Sequence, residues 1–413
     1  MKKAILVSIL ILISVSIFFS VSRAFFIGFG SAGGADQVIK KGQDLGVIPK
    51  SSAGGESEPS APAVEIVWLR AWNSGSNDYG YGITTDSSAN VYVAGFFFNG
   101  SNWDYLVIKY NSSGDTVWQK GYNGGENDSG YGTAIDDTGN VYVTGRSNNG
   151  ANDDWFTVKY NPNGDTVWQK VYNGGNDDYG RGISVDDTGN IYVTGYSHNG
   201  ANYDCLTIRY NSNGDTVWQK IWSGASNDYG RGIAVDSAGN IYVTGYSHNG
   251  ANYDCLTIKY NSNGDTVWQK VYNGGDDDYG YGIAVDPSSN VYVTGGFYNG
   301  TNHDYLTIKY NSAGGLVWQR GYDGGYTDYG YGIAVDSSSN AYVTGLCPDG
   351  VNDHCLTIKY NSAGDTVWQK VYNGGSDDKG YAVAVDSSGN VYVAGSSNNG
   401  TNDDCLVIKY RQN

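Results

Sequence analysis

An aspartate recurs every fifty residues, at Asp78, Asp128, Asp178, Asp228, Asp278, Asp328 and Asp378, each just ahead of a glycine-rich run. Five are followed directly by a phenol, at Tyr79, Tyr179, Tyr229, Tyr279 and Tyr329, and two by Ser129 and Lys379. Carboxylates gathered on one rim suit Ca²⁺ or sugar hydroxyls, and tyrosine rings suit stacking on a sugar. The competing role is local: each Asp accepts bonds from the N–H groups of its own turn, seven times over. Repetition favours the local role, because a ligand site usually breaks symmetry. The copies that depart, around Ser129, Lys379, Arg181 and Arg231, are where a ligand is to be sought. The candidate binding residues are therefore the seven Asp, the five Tyr, Arg181 and Arg231. No cofactor is assigned; Ca²⁺ is the one ion these carboxylates would suit.

Other reactive side chains point away from catalysis. Cys205, Cys255, Cys355 and Cys405 share a repeat position held elsewhere by Tyr105, Trp155 and Tyr305, which marks an apolar packing site. Cys347 falls outside that pattern, and an exported chain permits a local disulfide between Cys347 and Cys355. His354 stands where the other copies carry Asp, but no fourth ligand accompanies Cys347, Asp353, His354 and Cys355, so no metal site is assigned. His198, His248 and His303 lie in loops without a neighbouring nucleophile, and no GxSxG, HExxH or phosphate-loop motif is present.

The whole chain from Trp68 repeats with the same fifty-residue spacing: Trp68, Trp118, Trp168, Trp218, Trp268, Trp318 and Trp368 mark it, and so do Gly95 to Gly395. Ile191–Lys220 and Ile241–Lys270 differ only at Arg209 against Lys259. Each copy holds four runs rich in β-branched and aromatic residues; in the fourth these are 230–236, 240–245, 255–260 and 266–272, strands A to D. Asp-Ser-Ala-Gly-Asn (236–240) and Asn-Ser-Asn-Gly-Asp (261–265) are turns between them. Seven four-stranded antiparallel meanders without helices bury their faces by packing radially, which predicts an all-β, seven-bladed β-propeller.

Strand A alternates a thin face (Gly230, Gly232, Ala234) with a bulky one (Arg231, Ile233, Val235), as an innermost strand near the axis requires. The repeats open on a lone D strand at 65–72 and end on a lone C strand at 405–410. The N-terminal strand is therefore expected to complete the last blade as its outer strand. The seven Trp of strand D are expected to pack between blades.

The pattern DYGxGIAVDxxGNxYVTG followed by DxLTIKYNSxGDTVW resembles the SBBP family of β-propeller repeats, found in secreted bacterial proteins and mostly without an assigned activity. The resemblance spans residues 63 to 413 and implies the same propeller.

Residues 1–24 read as a signal peptide or N-terminal anchor, with Lys2 and Lys3 before an apolar run and Ser22-Arg23-Ala24 as a cleavage site. Residues 25–62, rich in Gly, Ser, Ala and Pro, read as a flexible linker, and 63–413 as the propeller. A formal charge of −17 argues against nucleic acid and anionic membrane as partners. Membrane contact is expected only through an uncleaved N-terminal segment. The expectation is a secreted, periplasmic or surface-held monomer, a non-catalytic binding or scaffold module that offers a loop face to an extracellular glycan, peptide or surface protein. One alternative is a propeller lyase or hydrolase using His and acidic loop residues at the channel mouth, and another is a spacer without ligand.

Overall fold

The structure, a computed structural model, describes residues 64–412. The expected signal segment and linker lie outside the described residues. The described chain forms seven sheets of four antiparallel strands each. In the fourth blade strand A is Asp228–Val235, B Ile241–His248, C Tyr253–Tyr260 and D Thr266–Tyr272. Strands A to C extend further toward the D–A and B–C loops than the residue pattern alone indicated, because Asp228 already pairs with Ser247 and His248 with Tyr253.

The innermost strands meet main chain to main chain. A Cβ placed on Gly232 would lie 3.0 Å from the Tyr281 carbonyl oxygen of the next blade, so that position admits almost nothing. Gly245 has a second reason to be glycine: a Cβ there would lie 1.7 Å from the Tyr229 carbonyl oxygen of its own blade. Opposite it the A strand carries a bulge between Gly230 and Gly232, leaving Arg231 as the extra residue. The same bulge recurs in every blade and sets residues 81, 131, 181, 231, 281, 331 and 381 apart from the ladder.

Between blades the thin and bulky faces mesh as expected. Ala234 of the fourth blade packs in one cluster with Ile283 of the fifth, beside Tyr242, Cys255 and Trp268. Ala384 and Ile83 do the same across the last seam. The strand-D tryptophans latch each blade to its neighbour: Trp218 Nε1 donates to the Ser262 carbonyl at 3.2 Å, Trp268 to Ser312 at 3.2 Å and Trp318 to Ser362 at 3.2 Å.

The seam that closes the ring is built like the others. Val64–Trp72 pairs antiparallel with Asp403–Gln412, from Val64 opposite Gln412 to Trp72 opposite Cys405, and is the outer strand of the seventh blade. Trp68 Nε1 donates to the Ser112 carbonyl of the first blade at 3.2 Å, and Arg70 Nε to that of Gly114 at 2.6 Å. The strand Val64–Trp72 thus joins the last blade and grips the first.

Removing Val64–Trp72 takes away three buried apolar side chains, Val64, Trp68 and Leu69, worth on the order of 5 kcal/mol together, and also exposes the edge of the 403–412 strand. The deletion is expected to replace one cooperative thermal transition by an early, broad one. An unchanged calorimetric melt would contradict this closure.

Candidate functional site

The D–A and B–C loops emerge on one face and are tied to each other. Tyr203 N–H donates to Asn227 Oδ1 at 3.0 Å, and Tyr253 N–H to Asp277 Oδ1 at 2.8 Å. The seven recurring aspartates lie at the base of this face, each fully buried. Asp128 accepts the Gly124 N–H at 2.6 Å, and Ser74, Gly174, Gly224, Gly274, Gly324 and Gly374 donate to their Asp in the same way. Each therefore braces the loop that leads into its own A strand.

Burial pushes these carboxyls above the ordinary range, and the size of the effect follows the neighbour across the A–B pair. Ser147, Ser197, Ser247 and Ser397 hydroxyls hold down Asp128, Asp178, Asp228 and Asp378, although burial still leaves each raised. Asp278 is paired with Phe297 and Asp328 stands beside Cys347; desolvation takes them to about 6 and about 7. Asp78 reaches about 7 through burial with Asp404 nearby, despite the Ser74 hydroxyl at 2.7 Å. At the fifth seam Asp304, Asp323 and Asp328 bring a carboxylate oxygen each within 4.8 Å of one another. Asp323 is absent from the sequence-derived set; other copies carry Asn or Ser there, and that departure was the available signal.

Above the aspartates lies a collar of rings. Tyr179, Tyr229, Tyr279 and Tyr329 are partly buried and run into Tyr196, Tyr246 and His303 with centroid separations of 4.8 to 5.5 Å. Tyr79 joins Phe96 at 5.3 Å and Trp103 at 5.8 Å, and its hydroxyl donates to Asp403 at 2.7 Å. Tyr179 donates to Asp153 at 2.8 Å. The structure thus joins four of the five repeat tyrosines, Tyr179 to Tyr329, in one aromatic row and sets Tyr79 in its own cluster with Phe96 and Trp103, while their aspartates sit beneath.

Inside the collar the bulge residues form a second ring around the axis: Tyr81, Tyr131, Arg181, Arg231, Tyr281, Tyr331 and Tyr381. Tyr81 stacks on Tyr381 at 4.3 Å, Tyr331 meets Tyr381 at 5.7 Å and Tyr281 meets Tyr331 at 5.3 Å. The Arg181 guanidinium lies 4.0 Å from the Tyr131 centroid and donates to the Tyr196 hydroxyl at 2.6 Å. Arg231 lies 5.1 Å from the Tyr246 centroid and donates to that hydroxyl. The five tyrosines of this ring were missed by sequence reasoning, although a position restricted to Tyr or Arg carried the signal.

The remaining candidates lie elsewhere. His198 and His248 accept the Gly200 and Gly250 N–H through Nδ1, and His354 Nε2 is 3.0 Å from Asp349 Oδ2. Cys347 and Cys355 are free thiols, so the expected disulfide is not formed. Cys355 lies opposite Leu346, whereas Cys347 exchanges main-chain bonds with His354, which turns the two side chains to opposite faces of the blade. Cys347 packs with Tyr292 and Tyr305, and Cys355 with Tyr372 and Tyr410. Burial raises the Cys205, Cys255 and Cys355 thiols to about 12.

A carboxyl whose folded-state pKa is raised stabilises the fold fully below its unfolded value and loses that contribution as pH rises through the folded value. For Asp328 the window runs from about 4 to about 7. Asp328→Asn keeps an acceptor for the Gly324 N–H, so the wild-type melting temperature should fall relative to this variant by roughly 2–5 °C between pH 4.5 and 7. A constant difference would contradict the assignment. In the same solutions a thiol reagent should label none of the five cysteines until denaturant is added; fast labelling of native protein would contradict their burial.

Five stretches, residues 172–204, 218–254, 273–295, 318–346 and 372–402, match the SBBP family, described as a beta-propeller repeat. No curated protein matches. Among solved structures, the Neurospora crassa Pan2 WD40 domain is similar at 10% identity and a TM-score of 0.51, over 85% of this chain and 96% of that one. Chaetomium thermophilum Sqt1 is similar at 12% identity and a TM-score of 0.47, over 78% and 81%. The Pan2 likeness concerns the fold alone. The matched stretches fall on the A and B strands of blades three to seven, so five repeats of this seven-bladed propeller match the SBBP beta-propeller repeat.

Proposed function

We propose that the protein is an exported, non-catalytic binding module that receives an extracellular ligand, a glycan foremost, on the face formed by its D–A and B–C loops. The observation that carries this reading is the aromatic collar. It runs unbroken from Tyr179 through Tyr196, Tyr229, Tyr246 and Tyr279 to Tyr329, and the A–B and C–D turns of the other face hold no aromatic residue, only Asp, Asn, Ser, Gly, Thr, Ala and Pro. A spacer needs no such difference between its ends. Half-buried phenols held at fixed angles stack on sugar faces or on protein side chains at little entropic cost.

The arrangement of the histidines speaks for binding over a lyase. A general base needs a free ring nitrogen aimed at the substrate proton in the channel mouth. His198 and His248 spend Nδ1 on their own loops, His354 is turned to Asp349, and His303 is stacked among Tyr279, Tyr298 and Tyr329. Ca²⁺ enters the proposal as an accessory ion, with Asp304, Asp323 and Asp328 as the residues to hold it.

A glycan array probed with the purified protein, with Ca²⁺ and with chelator, tests the reading. A defined subset of sugars should bind, and Tyr229→Ala with Tyr279→Ala should weaken binding at least about tenfold, as expected when two stacking rings are lost. Absence of binding in both conditions would overturn the glycan reading.

A further inference from the structure

The loop face carries four cations in its centre, and they differ in one respect. Arg146 meets Asp153 at 2.6 Å and Lys379 meets Asp353 at 2.9 Å. Arg181 and Arg231 have no carboxylate within ion-pair distance among the described residues. They are neighbours in the inner ring, one on the third blade and one on the fourth, where the five other blades place Tyr. Each spends one N–H on a phenol oxygen, Tyr196 for Arg181 and Tyr246 for Arg231, and the Nε of each is buried without an acceptor. Both side chains remain only partly buried.

Two adjacent, partly desolvated guanidinium groups repel each other, and taking an uncompensated charge partly out of water is unfavourable. Cation–π contact with Tyr131, Tyr179 and Tyr196 for Arg181, and with Tyr196, Tyr229 and Tyr246 for Arg231, offsets only part of that. Tyrosine at the same position closes the ring in five blades without a charge. A chain of net charge −17 nevertheless leaves two positive charges unpaired at the one point where seven strands converge. The planar fork of arginine matches an oxyanion with two parallel N–H bonds, and phenols beside it supply further donors.

We infer that Arg181 and Arg231 form an oxyanion subsite at the centre of the loop face, taking a carboxylate or sulfate group of the bound saccharide. This rests on the loop face being the ligand face, and it narrows the ligand to an acidic sugar. The rings of the collar stack on neighbouring residues of the ligand while the guanidinium pair fixes its charged group over the axis.

The test uses the purified protein and Arg181→Tyr/Arg231→Tyr, which installs the residue of the other five blades. Thermal melts are recorded in sodium galacturonate, in sodium sulfate and in sodium chloride of equal ionic strength, and oligogalacturonate is titrated beside its methyl ester. Galacturonate or sulfate should raise the wild-type melting temperature above the chloride value, and the free acid should bind at least about tenfold more tightly than the ester. Both differences should vanish in the double variant, with the carboxylate and sulfate arms showing which oxyanion the subsite prefers. Equal anion response in wild type and variant, or a wild-type response no larger than that of chloride, would overturn the inference. Free sulfate acting on the wild type alone, with no saccharide bound, would uphold the subsite and refute the glycan reading; a neutral glycan bound equally by both proteins would do the reverse.

Discussion

Seven strands converging on one axis must approach each other more closely than side chains allow, and this crowding governs the molecule. At Gly232 the next blade's main chain lies where a Cβ would be, and Gly82, Gly132, Gly182, Gly282 and Gly332 face the same limit. Only the seventh blade breaks it, with Ala382, which packs against the first blade. Large side chains such as Ile183 and Ile283 are displaced outward, where they meet the small residue of the preceding blade, Ala134 and Ala234. The bulge opposite Gly245 relieves the same crowding by lifting one residue per blade out of the ladder, and those seven residues become the inner ring.

Structural duty and freedom to vary are thereby separated. Positions that carry the fold recur almost unchanged: the tryptophan latch, the glycines save for Ala382, and the buried aspartate that braces each D–A loop. The Asp at the A–B turn, such as Asp236, is another; burial raises its pKa, but bonds from Asn240 and Tyr242 outweigh that and hold it below the usual range. Positions whose side chains stand clear of the close approach have diverged: residue 96 and its equivalents run through Phe, Arg, Tyr, Gly, Leu and Ser, and the bulge residue is Tyr in five blades and Arg in two. All of these variable positions lie on the loop face, which is where divergence leaves room for recognition.

Much of the architecture was legible in the sequence because the period repeats every constraint seven times. The number of blades, the thin face at Ala234, the packing role of Trp218 and closure by the first strand all follow from spacing and alternation. The site was less legible. Spacing identifies Asp228 and Tyr229 together, yet pairing to Ser247 and Tyr246 places one beneath the surface and the other within it. Strict alternation put Arg231 on the face of Ile233; the bulge removes it from that alternation and turns it toward the ring of tyrosines. Cys347 and Cys355 are near in sequence across a loop, but the register opposes Cys355 to Leu346 and sets the thiols on opposite faces. In each case the missing information was register, which sequence spacing alone does not contain.

The central claim is that the ring is one cooperative body fastened by its first strand. Native-state hydrogen exchange reads this directly, since amides opened only by global unfolding share one free energy and one denaturant dependence. The account predicts that protected amides of Val64–Trp72 and of its partner Asp403–Gln412 exchange with the same free energy as those of the middle blades. Exchange of the N-terminal strand through a low-energy local opening, while the other blades stay protected, would contradict it.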